Sequence, residues 1–136
     1  MGDRYVVFES SIGHHWWTRL QPRGIGHCFT VTDHTTERDG ATLRGAMVLN
    51  ASAQTGLVPR LYFGSADLLA RHLATHRGAT VLDCSAVPRS GGSLIPSVGL
   101  LWCVSCCKAV LGVRCWALTP LGLLRWLLAH GAQEIR

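Results

Sequence analysis

His27-Cys28-Phe29-Thr30-Val31-Thr32 decides how this chain folds. Polar residues alternate with apolar or aromatic ones, and β-formers dominate, so the segment reads as a half-buried strand. Downstream, the polar stretch 33–40 reads as a loop leading to a hairpin partner at Ala46-Met47-Val48-Leu49. Upstream, Tyr5-Val6-Val7-Phe8 reads as a short strand. Residues 57–63 form another strand candidate, which Pro59 places at a sheet edge or weakens. Ser65 is an N-cap for a helix over 66–76, with apolar positions 66, 69, 70 and 73 on one face and Gly78 as the stop. Thr80-Val81-Leu82-Asp83-Cys84 reads as a strand, and 88–97, with two prolines and two glycines, as a loop. A helix over about 99–111 ends near Gly112, and Thr119-Pro120 opens a last helix over 121–130 that stops at Gly131. Strands, a helix, a strand and two helices make an α+β domain: a small antiparallel sheet with C-terminal helices.

Composition supports one domain over residues 1–136. Apolar residues are 48% and charged residues 15% of the chain, too apolar for a disordered tail. Some apolar surface is therefore expected to meet a partner. Lys and Arg outnumber Asp and Glu by 13 to 8, but the arginines are scattered, without a run to track phosphates. A solvated positive surface is expected, and no specific nucleic-acid partner. The start MGDRYVVFESS has no basic-then-apolar leader, so reduced thiols are expected for the six cysteines. The longest apolar stretch, 94–107, stops at Lys108, short of the roughly 20 residues that a membrane span needs. No membrane span is expected.

The chemistry lies in the cysteines. Cys103, Cys106 and Cys107 fall on one apolar helix, with 103 and 107 a turn apart on one face. The plain reading makes Cys84, Cys106, Cys107 and Cys115 small core residues. A zinc reading takes Cys103-x-x-Cys106 with His27-Cys28, but lacks a well-spaced second pair. The third reading makes Cys103 a nucleophile at a helix start, where the dipole and free N–H groups favour thiolate and oxyanion. His27 opens a strand and Asn50 ends its hairpin partner, so base and orienting group could lie side by side. His14-His15-Trp16-Trp17 reads as aromatics packed on the core or as a binding platform. No cofactor and no metal are expected.

Residues Trp102-Cys103-Val104-Ser105-Cys106-Cys107-Lys108-Ala109-Val110-Leu111-Gly112-Val113-Arg114, then Leu118-Thr119-Pro120, carry a resemblance. They resemble a family of small uncharacterised proteins of proteobacterial tailed phages and prophages. That family reads Thr-Cys-Val-Glu-x-Val-Lys-x-Leu-Leu-Gly-Ile, then Leu-Thr-Pro and a short closing helix. Gly26-His27-Cys28-Phe29 is similar to its Gly/Arg-His-Val strand, and Leu49-Asn50 to a following strand ending in a polar residue. The arrangement is similar to permuted papain-like folds, in which histidine precedes cysteine. The resemblance implies Cys103, His27 and Asn50 as catalytic residues of a thiol hydrolase or transferase acting on an amide or ester, peptidoglycan included. Trp102 and Ser105 depart from the pattern beside the thiol, where the family has a small hydroxyl residue and glutamate. A decayed activity follows from that, and with it a structural role as a tail, neck or capsid accessory piece. Its partners would be other virion proteins in symmetric copies, and its location the virion, or the host bacterial cytoplasm before assembly. The structural role is expected ahead of present-day catalysis.

Overall fold

The computed structural model describes residues 3–10, 25–52, 56–90 and 102–136. Six strands form one antiparallel sheet: β1 (Arg4–Glu9), β2 (His27–Arg38), β3 (Ala41–Ser52), β4 (Gly56–Phe63), β5 (Thr80–Asp83) and β6 (Gln133–Ile135), in the order β4-β3-β2-β1-β5-β6. Among the described residues there are three helices: α1 (Ala66–His76), α2 (Trp102–Leu111) and α3 (Pro120–Ala129). The fold is α+β.

Alternation along the strands builds two cores. Val6, Phe8, Cys28, Leu82 and Cys84 point to one face, where Cys103, Val104, Cys107 and Leu111 of α2 and Leu123, Leu124 and Leu127 of α3 cover them. Tyr5, Val7, Phe29, Val31, Ala46, Val48 and Val81 point to the other, under Ala66, Ala70 and Leu73 of α1. Most helix signals are met. Ser65 Oγ accepts from Leu68 N–H at the start of α1, and Thr119 Oγ1 from Gly122 N–H at the start of α3, with Pro120 in its first turn.

The polar stretch 33–40 departs from the expected loop. β2 runs on to Arg38, and Asp39 (φ 53°) and Gly40 (φ 77°) turn the chain directly into β3. Two successive positive φ angles are the I′ hairpin geometry that Asp-Gly favours, and the polar residues before it form the exposed end of a long ribbon. Polarity here marked exposure, not the loss of strand structure. The short strand β6 also went unexpected; it pairs with β5 at the far edge. Helix α2 is described from Trp102, so the expected positions 99–101 lie outside the described residues, as do 91–97 of the loop and the His14–Trp17 cluster.

Arg4 corrects the reading of the arginines as a purely solvated surface. It is 7% exposed, and its guanidinium donates to the carbonyls of Leu111 (2.9 Å), Ser85 (3.2 Å) and Val87 (2.8 Å). Leu111 closes α2, so a strand cation neutralises the negative end of that helix and satisfies one of its orphan carbonyls. Gly112, at φ 66°, takes the left-handed cap position that lets the chain leave there. On the same side of the sheet, Thr30 Oγ1 is buried without a hydrogen-bond partner among the described residues.

Two stability measurements test these assignments. Arg4→Met leaves three carbonyls, those of Leu111 and Val87 buried, without their charged donor, and urea denaturation should record a loss of about 3 kcal/mol. An unchanged midpoint would refute the clamp. Thr30→Val replaces an unpaired hydroxyl with a methyl group of the same shape and should gain about 1 kcal/mol in the same assay.

Candidate functional site

β2 and β3 are neighbours, with Thr30 opposite Leu49, so Asn50 comes opposite Phe29 and one diagonal step from His27. Positions 27, 29 and 50 share a face by alternation. There His27 Nε2 and Asn50 Oδ1 are 2.6 Å apart. An amide oxygen can only accept, so Nε2 donates here, and in the neutral ring Nδ1 keeps its lone pair. Glu9 stands opposite His27 on β1. Cys103 is the second residue of α2, which packs across β2 and β3, and its thiol is in side-chain contact with both His27 and Cys28. His27 is the first residue of its strand, at the rim where the two faces meet, so one sulfur can reach both neighbours. The three residues singled out in the sequence thus come together.

Their proton affinities are coupled. Burial by itself lowers that of His27, but contact with Cys103, then Asn50 and the Glu9 carboxylate, outweighs it, and the net direction is upward. The Cys103 thiol is pushed well above the ordinary range, first by the Cys28 thiol and next by burial. His27 and the backbone N–H of Cys28 act the other way. A thiolate–imidazolium pair would favour both charges, but at neutral pH the thiol keeps its proton, because the Cys28 thiol and burial outweigh the imidazole and the Cys28 backbone N–H. The first turn of α2 holds no acidic residue, so nothing there opposes its helix dipole. The site is assembled but not charged.

The other cysteines divide by burial. Cys84 is fully buried, raised to about 12 by burial, with its Sγ 3.7 Å from the Leu82 carbonyl. Cys107 is fully buried too, and donates to Cys28 Sγ at 3.6 Å. Cys106 and Cys115 are half-buried, so these two are not sealed core residues. Among the described residues no three histidine, cysteine or carboxylate side chains are placed to hold a metal ion, so Cys103-x-x-Cys106 does not grow into a zinc site there. Nor, among the described residues, is any helix long and apolar enough to cross a membrane.

Two neighbours of the site had no part in the acyl-transfer reading of the sequence, where Cys28 figured only as a zinc ligand. Cys28 follows His27 directly, which by alternation should have turned it away from the imidazole's partner. Glu9 is set opposite His27 by strand register, which no local pattern in Tyr5-Val6-Val7-Phe8-Glu9 announces. No family model, curated protein or solved structure matches this chain.

Alkylation by iodoacetamide tests the electrostatics. At pH 7.5 Cys103 should react at least about tenfold more slowly than an exposed cysteine peptide, since each unit of raised pKa removes tenfold of thiolate. A raised thiol releases its proton later, so the rate should still climb past pH 9, where an ordinary thiol levels off. Cys28→Ala should speed the reaction and His27→Ala should slow it. Equal rates in all three proteins would contradict the assignment.

Proposed function

We infer that the protein carries a thiol acyl-transfer site, a hydrolase or transferase acting on an amide or ester, with Cys103 as nucleophile, His27 as base and Asn50 as orienting group. The observation that carries this reading is the 2.6 Å contact of Asn50 with His27 Nε2, made while the same imidazole touches the Cys103 thiol. With Nε2 tied to Asn50, Nδ1 is the nitrogen left to take the thiol proton. Cys103 Sγ then adds to the carbonyl carbon, and the free N–H groups of the first turn of α2 receive the oxyanion. The imidazolium returns its proton to the departing amine or alcohol. Water, or an acceptor amine or alcohol, releases the acyl group by the same steps in reverse. Substrate entry adds its own polar groups beside the thiol, where the resting protein has sulfur and hydrocarbon. The permuted papain-like resemblance, with histidine ahead of cysteine, agrees with this order of residues.

A second reading keeps the fold and drops the chemistry: a subunit of a phage particle, such as a tail, neck or capsid accessory piece. It draws on the edge strand β4, where Leu57, Leu61 and Tyr62 are exposed and Phe63 wholly so, at 101%. An apolar edge of this kind suits an assembly. The high proton affinity of Cys103 favours it too. Stoichiometric, symmetric copies in purified particles would support this reading, and absence from particles would remove it.

Hydrolysis of a panel of p-nitrophenyl acyl esters and acyl-peptide amides tests the first reading. Cys103→Ala should abolish turnover, and His27→Ala should cost about 10²–10⁴-fold. Asn50→Ala should lower kcat by about 10–100-fold with KM little changed, because it frees the ring without touching substrate. Wild-type rates no higher than those of Cys103→Ala would end the catalytic reading.

A further inference from the structure

The proposed reaction uses one sulfur of three that meet between β2 and α2. Cys28 leaves β2 toward the helix layer and is wholly buried. Cys107 Sγ lies 3.6 Å from its sulfur, and Cys103, one helical turn earlier, packs in the same buried cluster. Cys28 therefore stands against both thiols of one helix face. The two helix thiols differ in two respects. Cys103 reaches the surface at 8% exposure while Cys107 is at 0%, and it is Cys103 that touches the imidazole of His27. A small oxidant arriving from solvent meets Cys103 first, with a base at hand and a second sulfur behind it. This is the arrangement of an attacking thiol and its resolving partner.

We propose that Cys103 and Cys28 form a reversible intramolecular disulfide when the protein meets a hydroperoxide, Cys103 being oxidised first and Cys28 resolving it. In the first step Cys103 gives its proton to His27 and its sulfur attacks the terminal oxygen of the hydroperoxide. An S–O bond forms, the O–O bond breaks, and the departing alkoxide takes the proton from His27. Sulfur has lost two electrons and the peroxide has gained them, leaving a sulfenic acid and an alcohol. In the second step the Cys28 sulfur attacks the Cys103 sulfur. The S–S bond forms as the S–O bond breaks, and hydroxide leaves as water with the Cys28 proton. The two sulfurs, already in contact, need side-chain rotation to close to about 2.05 Å. A dithiol reductant reverses the change by exchange through a mixed disulfide.

Formation of this bond does not depend on the catalytic reading. Its consequence does: if Cys103 is the nucleophile, the disulfide withdraws it, and the site works only in a reducing environment.

Reduced protein is treated with hydrogen peroxide, denatured, blocked with N-ethylmaleimide and weighed intact. The expected product is lighter than reduced protein by about 2 Da before blocking, with two thiols closed to maleimide and reopened by dithiothreitol. Cys107→Ser should still form it. Cys28→Ala should lose it and instead gain about 32 Da as Cys103 sulfinic acid, since no resolving thiol stands behind the sulfenic acid. Cys103→Ala should lose it outright. A link that survives Cys103→Ala, a link between two molecules, or wild-type Cys103 sulfinic acid beside a maleimide-labelled Cys28 would each overturn the proposal. The readout is mass, not turnover, so a protein that forms the bond but hydrolyses nothing retains this inference and loses only the catalytic one.

Discussion

The placement of α2 rests on a buried guanidinium. Helix α2 has ten residues, too few to persist alone in water, so its position comes from what holds its ends and its apolar face. Arg4 holds the C-terminal end by donating to Leu111, and with the same group it secures the Ser85 and Val87 carbonyls of the turn after β5. A strand, a turn and a helix terminus are joined by one side chain. Lys108, also buried, reaches back to the Cys115 carbonyl at 3.0 Å and steadies the chain leaving the helix. With one end of α2 secured, the other falls where β2 and β3 present His27 and Asn50.

The chemistry at that other end is a balance of opposed influences on one proton. His27 and the Cys28 backbone favour a thiolate at Cys103, while the Cys28 thiol and burial favour the neutral form. Catalysis and redox chemistry draw on the same sulfur, and Cys28 connects them. It suppresses the nucleophile at rest and is also the nearest sulfur able to capture it when oxidised. The small-residue core of thiols packs as alanine would, but keeps a reactivity that alanine lacks.

The two sides of the molecule differ in how completely they are covered. Near α2 and α3 the sheet is sealed by leucines, while β4 and the ribbon tip carry Leu43, Leu57, Leu61 and Phe63 into solvent. The edge strand borders the site, since Asn50 of β3 pairs with Val58 of β4. Pro59 lies on that edge, where the missing N–H costs the sheet least.

Much of the fold was legible in the sequence because its signals are local. Ser65, Thr119-Pro120 and Gly131 mark helix ends through groups within a few residues of one another, and the alternation of His27 to Thr32 announces a strand, although helices on both faces bury Cys28, Phe29, Thr30 and Val31 alike. The nearness of His27 to Asn50 could also be anticipated, since hairpin neighbours follow from a turn. What local pattern could not state was long-range. The 107-residue separation between Arg4 and Leu111 hides the clamp, and the opposition of Glu9 to His27 is a matter of register. The meeting of Cys28 with Cys103 and Cys107 joins a strand to a helix across 79 residues in the second pair. Residue types determined which elements form and which groups can react. Only the packing of α2 across the sheet decided which sulfur meets which imidazole, because that contact depends on how two distant faces fit and not on either segment alone.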